Sequence, residues 1–142
     1  MRALLDVNVL IALLDELHQH HQPAKAWFMA HAVQGWATCV LTQNGFVRIM
    51  SQPRYPRPIT VAHAMQLLDQ ACRSDLHEFW PADVSLLDDA VVDRTRVHGP
   101  GQLTDLCLLA LAVKHRGRLV TFDDAIPLSA VRGARREHVA VV

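Results

Sequence analysis

The chain has 142 residues, 51% of them hydrophobic, which is enough for one well-filled core and too few for two ordinary domains. We therefore expect a single domain spanning residues 1–142. Its 14 basic and 14 acidic side chains cancel, so polyanion binding must depend on local charge clusters. The run from Leu106 to Val113 is far shorter than the ~20 residues of a membrane-spanning helix. With no signal peptide recognisable, we expect a cytoplasmic protein that does not bind a membrane.

The first half of the chain alternates short apolar runs with amphipathic segments. A proline near a helix start, polar caps and a glycine stop mark the boundaries. The expected elements are a strand at Ala3–Leu5, a helix at Val7–Leu14, a helix from Pro23 to Ala32, a strand at Trp36–Val40, a helix from an N-cap at Thr42 to Met50, a proline-rich loop at 51–58 and a helix capped by Thr60 with an inner face of Val61, Met65, Leu68 and Cys72.

The second half continues the alternation. A strand is expected near Glu78–Trp80, and Ser85 with Asp88 resembles a capping box for a further helix. Glycines at 99 and 101 break the chain before an apolar helix from Leu103 to about His115, and strands follow at Leu119–Phe122 and Val139–Val142. Strands that alternate with helices predict an α/β fold, a three-layer α/β/α sandwich around a mostly parallel sheet.

Three aspartates, Asp6, Asp105 and Asp123, follow or precede apolar runs that should end at the carboxyl edge of this sheet. A single aspartate at such a place is most often a helix cap or a turn residue. Three carboxylates in one poorly solvated cleft repel one another unless a cation joins them. Because all the ligands are hard oxygens, Mg²⁺ or Mn²⁺ is favoured over zinc. Together the three predict a metal site.

The chain resembles the PIN-domain ribonucleases, and among them the VapC toxins of bacterial VapBC toxin–antitoxin pairs. The resemblance spans nearly the whole chain. It implies a PIN-like fold, a Mg²⁺- or Mn²⁺-dependent endoribonuclease that cleaves tRNA or rRNA, a VapB-like antitoxin that blocks its groove, and a homodimer. The segments that carry it, in family order, are Leu4-Leu5-Asp6-Val7-Asn8-Val9-Leu10, Thr42-Gln43-Asn44-Gly45-Phe46-Val47-Arg48, Thr104-Asp105-Leu106-Cys107-Leu108-Leu109-Ala110 and Val120-Thr121-Phe122-Asp123.

Carried over by position, the resemblance assigns metal binding to Asp6, Asp105 and Asp123. It makes Asn8, Thr42, Thr104 and Thr121 candidates for positioning water or the metal ligands. Gln43 stands where the family usually has glutamate. Its amide oxygen can coordinate a hard cation or orient a water but brings no negative charge, so weaker metal affinity is expected. Asp124 ranks second to Asp123, because it is expected to cap a short helix beginning at Ala125.

Other polar clusters have two interpretations each. The loop at 54–57, with Arg54, Tyr55 and Arg57, fits either RNA contact or an ordinary turn. The histidines at 18, 20 and 21 lack a further ligand nearby, so a solvated connection is expected rather than a metal site. Trp27, together with the face around Met50 and Met65, fits helix packing or an interface between proteins.

Two alternatives to a nuclease remain open from the sequence. Gln43 is compatible with a PIN-like protein that has lost turnover and only binds RNA or an antitoxin. A phosphoacceptor receiver domain is also a small parallel α/β fold with acids at its strand ends. It fits less well, because no acidic pair follows the first strand and no aspartate ends the strand near Val40.

Overall fold

The computed structural model describes all of residues 1–142 and contains one five-stranded parallel sheet. Its order is β3-β2-β1-β4-β5, which differs from the 2-1-3-4-5 order of flavodoxin-like receiver domains and makes that alternative wrong. The predicted α/β fold with a parallel sheet is confirmed. The strands are β1 (Ala3–Leu5), β2 (Trp36–Cys39), β3 (His77–Trp80), β4 (Arg118–Thr121) and β5 (Val139–Val141).

Helices cover both faces of the sheet. Successive residues of β1 point to opposite sides, so both faces carry apolar side chains that must be buried. Leu4 belongs to a core cluster with the apolar helix α5, whereas Ala3 and Leu5 pack in a second cluster with residues of α1, α3 and α4. None of the helices has both the length and the apolar character needed to cross a bilayer. The helices are α1 (Val7–Leu14), α2 (His21–His31), α3 (Val40–Ser51), α4 (Val61–Cys72) and α5 (Leu103–Lys114).

Two predicted helix starts are wrong. Helix α3 begins at Val40 rather than after Thr42, because Cys39 is the N-cap and Thr42 completes a capping box by accepting the Cys39 N–H at 3.0 Å. No helix follows Ser85, whose side chain accepts the N–H of residue 87, and Asp88 accepts that of residue 90. Such bonds to the backbone two residues on stabilise turns, which compete with helix capping.

Two apolar or aromatic side chains are more buried than the sequence predicts. His21 is 8% exposed and its Nδ1 lies 2.8 Å from the carbonyl oxygen of Ala12, so this histidine is not part of a solvated connection. It also starts α2 two residues before Pro23. Met50 is buried in the core, which excludes it from an interface, whereas Met65 on α4 is 57% exposed.

The proline-rich loop is tied to the end of α1 by a buried carboxylate. Asp15, 9% exposed, accepts hydrogen bonds from the Tyr55 hydroxyl and from Arg57 Nη2 at 2.9 Å. Its other oxygen accepts the Leu17 N–H at 3.1 Å. Burial alone would raise the pKa of Asp15, but the bonds from Tyr55 and Arg57 outweigh burial and lower the pKa. The loop is therefore an anchored turn, and two of its side chains are already engaged.

We predict that Tyr55→Phe lowers the free energy of unfolding by about 1 to 2 kcal/mol at neutral pH, because Asp15 loses a donor to its buried charge. Since the pKa of Asp15 is lowered in the fold, this stabilisation is present above the ordinary carboxyl pKa and is lost as the pH falls through the lowered value. Urea unfolding of the variant and the wild type at several pH values measures this difference in the free energy of unfolding. Arg54→Ala, which changes an exposed neighbour, is the control, and equal losses in the two variants would contradict the prediction.

Candidate functional site

Asp6 joins the end of β1 to the start of α1. It is the N-cap of α1, and its Oδ1 accepts the Val7 N–H at 2.7 Å. Its Oδ2 accepts a hydrogen bond from the hydroxyl of Thr121, at the end of β4, at 2.7 Å. Because Asp6 is only 8% exposed, these two bonds fix the carboxylate in one orientation at the carboxyl edge of the sheet.

The Thr121 hydroxyl connects three of the predicted site residues. While donating to Asp6, its oxygen accepts the Asn8 Nδ2 at 3.3 Å and the Asp123 N–H at 3.1 Å. One donor and two acceptor positions are the full capacity of a hydroxyl. The Oδ1 of Asn8 is buried and has no hydrogen-bond partner. A buried oxygen without a donor is costly, so this atom is suited to a ligand or an ordered water.

Asp105 in the first turn of α5 interacts with both of the other acids. Burial, the charges of Asp6 and Asp123, and a hydrogen bond with Asp123 that favours the protonated form raise its pKa to about 6. Burial and the charge of Asp123 also raise the pKa of Asp6, against the opposing bonds from Thr121 and Val7. The structure thus places Asp105 within the electrostatic influence of both other aspartates, and Asp6 within that of Asp123.

The oxygen-bearing side chains at this edge fit a hard cation, although their positions do not form a complete set of metal ligands. No three His, Cys, Asp or Glu side chains form a cluster ready to hold a metal ion. The raised pKa values of Asp6 and Asp105 show that negative charge at this edge lacks compensation. Three carboxylates and the unpartnered Asn8 oxygen are the oxygen ligands that Mg²⁺ and Mn²⁺ prefer. A cation that draws the carboxylates inward would relieve their repulsion.

The hydrogen bond of the Gln43 side chain goes to a strand residue and not to any of the three acids. Its Nε2 donates to Thr38 Oγ1 at 3.0 Å, and Thr38 Oγ1 lies 2.8 Å from His77 Nε2. Gln43 lines a separate groove of about 320 Å³ between α3 and α4, together with Cys72. The sequence did not predict this series of hydrogen bonds from Gln43 through Thr38 to His77. Its one signal is Thr38, a threonine inside an otherwise apolar strand.

The remaining predicted residues have different environments. Thr104 is exposed at the start of α5, whereas Thr42 is fully buried in the capping box of α3. The side chain of Asp123, not of Asp124, accepts the Ala125 N–H, at 2.8 Å. No helix begins at Ala125, so the predicted cap at Asp124 is wrong. Asp124 is the middle residue of this turn and is exposed.

Comparison with known proteins gives a consistent set of relatives. The chain matches the model of the PIN domain over residues 3–132. It is 58% identical to the ribonuclease VapC44 of Mycobacterium tuberculosis over 142 residues, which is 100% of both chains. It is 44% identical to the ribonuclease VapC39 of the same species over 135 residues, covering 94% of this chain and 96% of that protein.

A solved structure shares the fold. The crystal structure of VapBC2 from Rickettsia felis bound to a promoter DNA fragment matches with a TM-score of 0.60 over 89% of this chain and 94% of that chain. Sequence identity is 14%, so this likeness concerns the fold alone.

We predict that Asp105→Asn stabilises the metal-free protein at neutral pH. The folded-state pKa of about 6 lies above the ordinary 3.8, so the contribution of this carboxyl to stability is complete below 3.8 and is lost as the pH rises to about 6. Asp105 is half-buried and solvent screens its charge. We therefore expect the substitution to raise the free energy of unfolding by roughly 1 kcal/mol at pH values above about 7, and not to change it near about pH 4.

Urea unfolding in the presence of a chelator measures this gain. Asp124→Asn is the matched control, because it removes the same charge from an exposed neighbour of Asp123. Destabilisation by Asp105→Asn at neutral pH, or a gain that does not depend on pH, would contradict mutual repulsion among the acids.

Proposed function

This chain belongs to the PIN-domain family and within it to the VapC proteins, and from that premise we propose that it is a Mg²⁺- or Mn²⁺-dependent endoribonuclease toxin. The observation that carries the proposal is the convergence of Asp6, Asp105 and Asp123: burial and the charges of Asp6 and Asp123 raise the pKa of Asp105, and burial and the charge of Asp123 raise that of Asp6. The names of the relatives, ribonucleases VapC44 and VapC39, support the reaction class. The reaction is hydrolysis of an RNA phosphodiester bond.

Each side chain has a distinct part in this proposal. Asp6, Asp105 and Asp123 hold the cation, and Thr121 orients Asp6 and the backbone of Asp123 through its hydrogen bonds. A bound Mg²⁺ or Mn²⁺ supplies an activated water and stabilises charge on the phosphate oxygens. The Oδ1 of Asn8, which is buried and has no hydrogen-bond partner, would accept a hydrogen bond from a donor that enters the site with the RNA.

We assign the partners on the same premise. A VapB-like antitoxin neutralises the protein, in keeping with the VapBC complex among the structures of the same fold. Exposed apolar side chains on α4, Val61 and Met65, suit a protein partner or a homodimer contact. The RNA substrate is structured RNA of the translation machinery, tRNA or rRNA, which places the activity in the cytoplasm.

A second function is favoured by the position of Gln43. Its amide is engaged by Thr38, and it adds no carboxylate to the three acids. A protein with weakened metal affinity would bind RNA or antitoxin without turnover. The two functions differ in whether RNA is cut or only bound.

We predict that the protein cuts bacterial RNA when Mn²⁺ is present and that a chelator stops the reaction. Asp6→Asn should reduce cutting on the order of 100-fold or more, because the metal loses a charged ligand while asparagine still caps α1. Gel analysis of the RNA measures cutting, and Asp124→Asn is the control that should retain it. Binding of RNA by the wild-type protein without any metal-dependent cutting would favour the binding module and overturn the enzyme.

We predict that Gln43→Glu tightens Mn²⁺ binding measured by calorimetry. A carboxylate at this position, in the first turns of α3, cannot donate to Thr38 as the amide does and adds a negative charge near the carboxyl edge. Asn44→Asp is the matched control, since it adds the same charge one residue along at an exposed position. Equal affinities for wild type and Gln43→Glu would show that position 43 lies outside the metal environment.

A further inference from the structure

A cleft of about 520 Å³ opens beside the acidic edge, and the proposed reaction does not account for most of its walls. Asp6 and Asn8 form part of its lining, so the cleft is continuous with the acid site. Its volume lies within the range of about 300 to 1,000 Å³ typical of small-ligand sites. The other lining residues come from α1, the α1–α2 connection, α3, the proline-rich loop and the end of β4, and they are Val7, Ile11, His18, Gln19, His20, Ile49, Tyr55 and Phe122.

Aromatic rings form a large part of these walls. The His20 and Phe122 rings have centroids 5.2 Å apart and are tilted by 39°. The His18 and His20 rings are 5.7 Å apart. His20 is exposed and precedes α2 without capping it through its side chain, so neither burial nor capping explains its position over Phe122. Flat rings at the mouth of a cleft are suited to stacking on a planar ligand.

The ring of Tyr55 forms an uncharged part of the cleft wall and is held in place by a hydrogen bond. Its hydroxyl donates to Asp15, and burial together with that bond raises its pKa to about 12. A tyrosine with its ordinary pKa of about 10 is already uncharged at physiological pH, and the bond to Asp15 adds a fixed position for the ring. A wall without negative charge can accept a nucleic acid, which a phenolate would repel.

Two side chains supply polar contacts at the edge of the cleft. His18 Nδ1 accepts the backbone N–H of His20 at 3.0 Å, so a neutral His18 carries its proton on Nε2 and presents it as a donor. The exposed amide of Gln19 has both a donor and an acceptor. An aromatic face bordered by such groups matches the stacking surface and the hydrogen-bonding edge of a nucleobase.

We propose that this cleft binds the base of the nucleotide adjoining the cut phosphodiester, with the base stacked on His20 and its edge contacted by Gln19 and His18. The proposal rests on the proposed function, because it requires RNA at Asp6. It also requires an unpaired base, since only bases outside a duplex present a face for stacking. The cleft then selects which bond of the RNA is cut, whereas the aspartates carry out the reaction.

The first test measures binding without turnover. Fluorescently labelled short single-stranded RNA of random sequence is titrated with the full chain in a chelator, and anisotropy gives Kd. Loss of one stacking surface in His20→Ala should weaken binding about 5- to 150-fold, the range for a single stacked base. His63→Ala, at an exposed position of α4 outside the cleft, should leave Kd unchanged. Equal Kd values for His20→Ala and wild type would overturn the proposal.

The second test measures base preference. Total bacterial RNA is cut in Mn²⁺ and the new ends are sequenced, which gives the base frequencies on both sides of each cut. Gln19→Ala should reduce the base preference at one position next to the cut, because it removes the amide that contacts the edge of the base. Gln66→Ala, an exposed glutamine on α4, is the control that should keep the wild-type profile.

The outcomes separate this inference from the proposed function. A wild-type protein that cuts RNA with the same profile as Gln19→Ala overturns the base-binding cleft and leaves the nuclease intact. A wild-type protein that neither binds nor cuts RNA overturns both. Retained RNA binding by His20→Ala with loss of binding to a protein partner would assign the cleft to that partner instead.

Discussion

The site depends on the hydrogen bond from the Thr121 hydroxyl to the Asp6 carboxylate. This bond connects the carboxyl ends of the neighbouring strands β1 and β4, where the acids lie. Both residues are buried, and the donor and acceptor positions of the hydroxyl are all used, by Asp6, Asn8 and Asp123. The backbone supports the same junction, since the Asp6 N–H donates to the Val120 carbonyl oxygen at 2.9 Å. A shift of β4 relative to β1 would therefore displace Asp6, Asn8 and Asp123 relative to one another.

The fold holds this edge rigidly while leaving its charge uncompensated. Helix α3 packs so closely on α1 that a Cβ at Gly45 would lie 2.6 Å from Val7 Cγ2, so only glycine fits at this contact, one residue after Asp6 along the chain. Burial, together with the charges of Asp6 and Asp123, raises the pKa of Asp105 to about 6, which is the cost of placing this carboxyl at the site. A divalent cation at this edge would offset that cost, so the geometry that disfavours the charged acids in the metal-free protein would provide affinity for a metal.

Sequence reasoning predicts the parts of the structure that follow from chain topology. Asp6 and Asp123 follow strands of a parallel sheet, whose carboxyl ends share one edge, and Asp105 begins a helix with no polar face. The orientation of Gln43 was not predictable, because it depends on Thr38 and His77 in two other strands. The turns near Ser85 were missed because the same side chains that cap helices also stabilise turns.

Crystals grown with Mn²⁺ and measured at the manganese absorption edge test the central claim most directly. An anomalous peak is expected at the carboxyl edge of the sheet, within coordination distance of Asp6, Asp105 and Asp123. The same peak should be absent from Asp6→Asn crystals soaked under identical conditions. A manganese ion bound elsewhere, or none bound while these three side chains point to separate surfaces, would contradict the metal site and with it the nuclease.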